Sequence, residues 1–321
     1  MRSAGRGRED CVLGQGLLSI GLTTLDILAR PVDGLPANDT TAIVDQIVLV
    51  PAGTAAGAAL VAAKLGVKAQ LASSVGADAA GRLVRAELAA AGVDTSLLRE
   101  AADAPTSITI LPINSAGQRP NLHAIGAGMQ VEDGPALRQA ARAARFVHYA
   151  AVGAPGLAGG PGAALLAEAK AAGAFVTCDL ISPRRSSLDE LKRLLPNVDM
   201  FMPNASEARL LSGRDDLAEA GAVLRGLGAG ACLFTDGAAG ALLVSADGAV
   251  RFPAHPITPV DTTSCGDSYC AGFIAALDRG WPLEAACRLA GAVSALVAQG
   301  LGTLGALTGF DAAEQLMRGL P

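Results

Sequence analysis

The sequence predicts an α/β protein: a central, mostly parallel sheet flanked by helices, with a small β-sheet lid beside it. Three observations carry this. From about Gly53 onward, short β-like runs alternate with Ala-rich helical segments, the order that packs helices on a parallel sheet. Two stretches, at about 27–52 and 105–127, break that alternation and read as extended pairs joined by polar turns. The chain is 51% hydrophobic, yet its apolar runs are cut by Lys64, Asp78, Gln299 and many glycines. None reaches the ~20 residues of a membrane span.

The elements follow in order. "MRSAGRGRED" (1–10) is charged and small and reads as a disordered tail, which leaves 11–321 for the folded domain. The next run holds Gln15, Ser19 and Asp26 and is not expected to be a secretory leader. Within the lid inserts, "TAIVDQIVL" and "TSITILPI" alternate or run β-branched, as half-buried strands do. In the main unit, "GTAAGAALVAAKLG" precedes "AQLASSVG" (69–76), "GPALRQAARAA" precedes "RFVHYAAVG" (145–153), and "AALLAEAKAAG" precedes "AFVTCDL" (174–180). "LDELKRLLP" leads to "DMFMP" (199–203) in the same way. "GACLFTDGAAGALLVSADGAVRFPA" (230–254) reads as a strand and a hairpin, with Asp-Gly turns at 236–237 and 247–248.

Composition excludes several function classes. A formal charge of −5 without a dense Lys/Arg stripe gives no footprint for nucleic acid or an anionic membrane. Cys11, Cys178, Cys232, Cys265, Cys270 and Cys287 are scattered and form no C-x-x-C pair, so a reducing, cytoplasmic setting is expected. His123, His148 and His255 lie far apart in sequence and give a His-rich metal site little support.

The chemistry concentrates in "VDTTSCGDSYCAGF" (260–273), where small and polar residues open an apolar helix. Such a start points several free amides at one spot, a ready anion site. Ser264, Cys265 and Gly266 would then hold a transferring phosphoryl group, and the Asp267 carboxylate would take the proton of an attacking hydroxyl. A simple helix cap by Ser264 or Asp267 explains the same letters. Asn204 and Glu207 in "MPNASEARLLSG" likewise fit a capping box. Asp26 offers two acceptor oxygens to adjacent hydroxyls, or a turn carboxylate to solvent.

Taken together, these segments resemble the ribokinase-like (PfkB) carbohydrate kinase family. Asp261, Thr262, Gly266 and Asp267 match its second signature, with Ser264 and Cys265 in place of the usual Gly and Ala. "PAGTAAGAALVAAKLG" resembles the first signature: Gly53 and Ala59 match, Ala52 replaces a Gly, and Gly57 stands where an Asn normally bonds substrate hydroxyls. Asn204 and Glu207 resemble the magnesium-linked motif, and "LFTDGAAGALLV" resembles the nucleotide loop, with Thr235, Gly237 and Gly240. "RLAGAVSALVAQGLGTLGA" resembles the last helix, which lines the adenine pocket and carries Ser294; Gly291 replaces a frequent Asn. The matches run in family order along nearly the whole chain.

The resemblance implies a ribokinase-like fold and an ATP-dependent kinase acting on a hydroxyl of a sugar or sugar-like small molecule. Asp267 would be the base, and the amides of 264–267 the anion hole. Asp26, Gly53, Gly57 and Asp267 would meet substrate; Thr235, Gly237, Gly240, Asn204 and Ser294 would meet nucleotide. Mg²⁺ would be organised indirectly by Glu207 and Asn204, with K⁺ behind Asp261 and a homodimer through the lid. Three alternatives stand: a nucleoside kinase of the same fold, a non-catalytic regulatory ligand-binding protein, and a dinucleotide-dependent oxidoreductase. The last lacks a G-x-G-x-x-G after the first strand. Substrate choice is expected on the lid and near Tyr149–Gly153. There "GQRPNLHA" offers Arg119, Asn121 and His123, with Arg119 read as a surface hairpin turn.

Overall fold

A computed structural model describes residues 15–319; the tail expected at 1–10 and Cys11 lie outside the described residues. The main sheet has nine strands, in the spatial order β13-β12-β11-β10-β9-β8-β1-β4-β5. They are β1 (Leu17–Gly21), β4 (Ala69–Gly76), β5 (Leu98–Ala101), β8 (Phe146–Ala150), β9 (Phe175–Cys178), β10 (Met200–Phe201), β11 (Ala231–Thr235), β12 (Ala241–Ser245) and β13 (Gly248–Phe252). Pairing is parallel from β5 to β11, and β12 and β13 close one edge as an antiparallel hairpin.

The central strands are buried because both faces of the sheet are covered there, whereas β5 and β13 at the edges are partly exposed. Every residue of β1 and β8 is buried. Alternate residues serve opposite cores: Leu17 and Phe146 pack on one side, Leu18 and Val147 on the other. The first side is covered by α1 (Thr54–Lys64), α2 (Ala79–Ala90), α8 (Cys265–Asp278), α9 (Leu283–Val297) and α10 (Phe310–Arg318). The second is covered by α3 (Pro135–Ala143), α4 (Pro161–Ala171), α5 (Leu188–Leu194), α6 (Ala205–Ser212) and α7 (Leu217–Gly226). None of these helices is long and apolar enough to cross a membrane. The chain feeds β4 and β5 to one side of β1 and β8 to β13 to the other. That reversal opens a crevice at the C-terminal ends of β1 and β8, the usual ligand position in an open α/β sheet.

A separate four-stranded sheet stands over that crevice, in the order β3-β2-β6-β7. It comprises β2 (Thr24–Arg30), β3 (Gln46–Ala52), β6 (Ile108–Pro112) and β7 (Leu122–Ala124). β2 leaves directly from the end of β1 through Leu22 and Thr23. Gly53, which caps α1, sits at φ 98°. A Cβ there would lie 2.6 Å from the Leu22 carbonyl, so only glycine lets the returning chain cross the strand leading into the lid.

Register sorts the two faces of the lid. Val50, Asp26, Thr109 and His123 lie opposite one another in a row across all four strands. One residue along, Leu49, Ile27, Ile110 and Leu122 make the same row on the other face. In the first row Asp26, Thr109 and His123 are polar, and Asp26 is buried toward the main domain while His123 is exposed. In the second, Leu49, Ile110 and Leu122 stay 48%, 43% and 63% exposed, an apolar stripe with no cover in the monomer.

Candidate active site

The helix start at 264–267 is the centre of the site. Ser264 is the N-cap of α8 with φ 59°, a left-handed conformation that glycine adopts freely and serine does not. Asp261 anchors the turn: Oδ1 accepts the Thr263 amide at 2.8 Å and hydroxyl at 2.6 Å, and Oδ2 accepts the Gly302 amide at 3.0 Å. Behind the loop, Ser294 Oγ donates to the Cys265 carbonyl at 3.0 Å, tying α9 to α8. The amides of Cys265, Gly266 and Asp267 fall in the first turn, where no helical carbonyl pairs them. The Cys265 amide makes only a long contact, 3.5 Å, to the Thr262 carbonyl, and a Cβ built on Gly266 meets nothing within 4 Å, so the space beside Gly266 is open.

Asp267 is 9% exposed, and burial is the main cause that pushes its carboxyl up to about 6. A hydrogen bond from Ser264 restrains that rise, and the nearby Asp26 adds to it. A carboxylate poised near neutrality can accept a proton and release it again. Gly57 of α1 faces it: a Cβ there would lie 2.9 Å from Asp267 Oδ2 and 3.3 Å from its Cβ. The bare Gly57 thus gives Asp267 its room.

Opposite, on the lid, Asp26 is 5% exposed and accepts Thr24 Oγ1 at 2.8 Å. Burial raises its pKa; Thr24, Thr109 and His123 counter that, and Asp261 adds to it. Thr109 Oγ1 and His123 Nδ1 are 3.1 Å apart, so the polar row continues outward from Asp26. Toward the sheet, Asp179 follows β9 and accepts the Leu180 amide at 2.7 Å. Its carboxyl is driven well up by burial, then by Asp267 and Glu207. Glu207 is raised by burial and by Asp267. Asp179, Glu207 and Asp267 therefore lie within reach of one another's charge. Asn204 and Glu207 also form the capping box of α6, with both bonds at 3.0 Å. His148, Asp179 and Cys270 converge more deeply, with ligand atoms within 4.8 Å; that mixed N, O, S set suits a softer transition metal.

Beyond the anion loop lies a cavity of about 530 Å³ between the β11–β12 turn, the 252–259 segment and α9. Thr235, Gly237, Gly240 and Ser294 line it together with Cys265 and Gly266, so it opens onto the anion loop. Asn204 is bridged to Thr235, which brings the α6 start to the same rim. Gly291 faces it with only the Tyr269 ring, at 4.0 Å, near its missing Cβ.

Two expectations change. Tyr149 does not reach the crevice: strand alternation sends its ring into the core on the other side of the sheet. Arg119 is no free turn residue: its Nε donates to Thr262 Oγ1 at 2.9 Å and its Nη2 to the Thr262 carbonyl at 3.1 Å. Asp179 and Thr109 were not singled out from sequence. For Asp179 the signal was present, as the first charge after a buried strand at the sheet's C-terminal edge. Thr109 becomes visible only through strand register. The five described cysteines are all free.

A family model described as pfkB family carbohydrate kinase matches residues 15–308. A nucleoside kinase of Methanothermobacter thermautotrophicus is 29% identical over 288 residues, covering 89% of this chain and 90% of that protein. An aminoimidazole riboside kinase of Salmonella typhimurium is 27% identical over 278 residues, covering 83% and 86%. Among solved structures, a putative ribokinase II from E. coli in complex with ATP and Mg²⁺ superposes with a TM-score of 0.81 at 22% identity. That superposition covers 95% of this chain and 99% of that one.

Proposed function

The chain belongs to the pfkB family of carbohydrate kinases, and from this premise we propose that it moves the γ-phosphoryl group of ATP to a hydroxyl of a sugar or sugar-like small molecule. One observation carries the reading: a buried carboxylate, Asp267, stands in the first turn of a helix whose Gly266 borders open space. In this reading the lid lowers over the acceptor, and Asp26, extended by Thr109 and His123, binds adjacent hydroxyls. Asp267 takes the proton of the attacking oxygen as its bond to phosphorus forms. The amides of Cys265, Gly266 and Asp267 then receive the developing charge on the phosphoryl oxygens.

The nucleotide would lie in the cavity lined by Thr235, Gly237, Gly240 and Ser294, its phosphates toward Gly266. The carboxylates of Glu207 and Asp179, with Asn204 beside them, would hold Mg²⁺ through its waters; bound there, the ion neutralises charge on the β and γ oxygens. Support comes from the mutual charge of these carboxylates and from the ATP and Mg²⁺ held by the E. coli neighbour. K⁺ behind Asp261 and a cytoplasmic setting belong to the same proposal. So does a homodimer, for which the apolar row Leu49–Ile27–Ile110–Leu122 is the candidate face.

A second reading, a nucleoside kinase, is favoured by Gly57, which adds no side chain to the acceptor side. The names of the two relatives, a nucleoside kinase and a riboside kinase, point the same way. A coupled ATP-consumption screen over sugars, sugar acids and nucleosides tests both. Turnover with free sugars supports the first reading and turnover with nucleosides alone the second. ATP binding without turnover on any acceptor would overturn both in favour of a regulatory protein.

A further inference from the structure

His148 of β8, Asp179 just after β9 and Cys270 of α8 bring a nitrogen, an oxygen and a sulfur within 4.8 Å of one another, with all three side chains buried. Strand geometry explains the meeting. His148 pairs in register with Thr177, and Asp179 lies two residues further along the same face of the chain. Cys270 descends on them from the helix, its Sγ 3.9 Å from Asp179 Oδ2.

The imidazole is the member that the phosphotransfer chemistry leaves unused. Its Nδ1 bonds Thr177 Oγ1 at 2.9 Å, whereas Nε2 is buried without a hydrogen-bond partner. The Thr54 backbone is near enough to favour the charged ring, yet Nε2 makes no bond to it. Burial holds the ring neutral, with its pKa lowered to about 4. When Nδ1–H donates to Thr177, the lone pair of Nε2 is left over. A buried acceptor of this kind calls for a donor or an ion.

We propose that His148, Asp179 and Cys270 are the binding site of one soft divalent transition ion of the Zn²⁺ class. Imidazole, thiolate and carboxylate are the donors such an ion takes. The charges close: one thiolate and one carboxylate cancel two positive charges, so the loaded site adds no net charge to the core. As the metal–sulfur bond forms, the Cys270 S–H bond breaks and its proton leaves for solvent; His148 enters neutral and loses none. Tetrahedral donors about 2.0–2.3 Å from the ion stand roughly 3.5 Å apart. The most distant pair here therefore has to close by at most about 1.3 Å. Thr177 would hold the ring from behind through Nδ1. Mg²⁺ takes oxygen donors and would not recruit the sulfur. Asp179 stands by both positions, but the two sites differ in chemistry, and this one does not depend on the phosphotransfer reading.

The test uses the whole chain, stripped with a chelator and then given Co²⁺ or Zn²⁺ alone. Wild type should bind one ion, with a thiolate-to-Co²⁺ charge-transfer band in the near ultraviolet that Zn²⁺ abolishes. X-ray absorption at the Zn edge should show an imidazole and one sulfur at about 2.3 Å. Cys270→Ser should remove the band, whereas Cys178→Ser should keep it, because Cys178 packs on the other side of the sheet. Thr177→Val leaves all three ligands in place and should weaken Zn²⁺ about 10- to 100-fold by loosening the ring. No bound ion in wild type, a band that survives Cys270→Ser, or wild-type affinity in Thr177→Val would overturn the site. Should Cys270→Ser fail to fold, the wild-type absorption spectrum decides: a shell without sulfur, without imidazole or with more than one sulfur would overturn it.

Discussion

Replacing Asp267 by Asn should separate catalysis from stability. The carboxyl sits at about 6 against an ordinary value of 3.8, mainly through burial. A raised folded-state pKa means the native protein binds the proton more tightly than the unfolded chain. Below pH 3.8 the group is protonated in both states and contributes nothing; between 3.8 and 6 stability falls as pH rises, and above 6 the penalty is complete. At 1.36 kcal/mol per pKa unit, that penalty is about 3 kcal/mol above pH 6 and about 1 kcal/mol at pH 4.5. Asn has nearly the same shape, accepts the Ser264 hydroxyl and carries no charge, so the variant escapes the penalty. Urea unfolding should therefore show Asp267→Asn more stable than wild type, by about 2 kcal/mol more at pH 8 than at pH 4.5. The same variant should lose about 10²–10⁴-fold in kcat. Wild-type kcat/KM should rise with pH and level off above about 6, once the base of the free enzyme is ionised. A stability difference that does not change with pH would refute the buried, raised carboxylate. Near-normal turnover would refute the base.

Three further changes probe the surroundings. Ser264→Gly removes the hydrogen bond that restrains the Asp267 pKa, so the acid limb of the kcat/KM profile should move to higher pH. Its stability should change little, because relief of the left-handed serine is offset by glycine's backbone entropy; an unmoved limb would contradict the bond. Gly57→Ala places a methyl 2.9 Å from Asp267 Oδ2 and should cost up to about 10²-fold in kcat by displacing the carboxylate. Steady-state kinetics that match wild type would show that the glycine has no such part. Ile110→Glu puts a charge into the apolar row of the lid and should convert a wild-type dimer to monomers in sedimentation; an unchanged dimer would place the interface elsewhere.

Much of this was legible in the sequence, for identifiable reasons. A strand buried on both faces takes small and apolar residues between helices, so "AQLASSVG" marks β4 from end to end. Small residues before an apolar helix leave amides free, so Asp267 and its loop stood out. Asn204 and Glu207 were legible as a cap, and the cap is there beside the acid cluster; both uses need the same spacing. What was not legible depends on contacts between segments far apart in the chain. Thr109 and His123 join Asp26 only through strand register across three strands. Arg119 was expected to face solvent because a polar hairpin turn has that composition, whereas its partner Thr262 is brought to it by the fold. Gly57 was read as a lost substrate contact, and only packing revealed its contact with Asp267.

The central claim is that this chain moves a phosphoryl group from ATP to an acceptor hydroxyl with Asp267 as base. The most direct measurement incubates wild type and Asp267→Asn with γ-labelled ATP and the acceptor panel, then identifies the labelled product by mass spectrometry. The account predicts a labelled phosphomonoester of the acceptor with wild type and almost none with Asp267→Asn, while both bind ATP. Label released only as inorganic phosphate, or equal ester from both proteins, would contradict it.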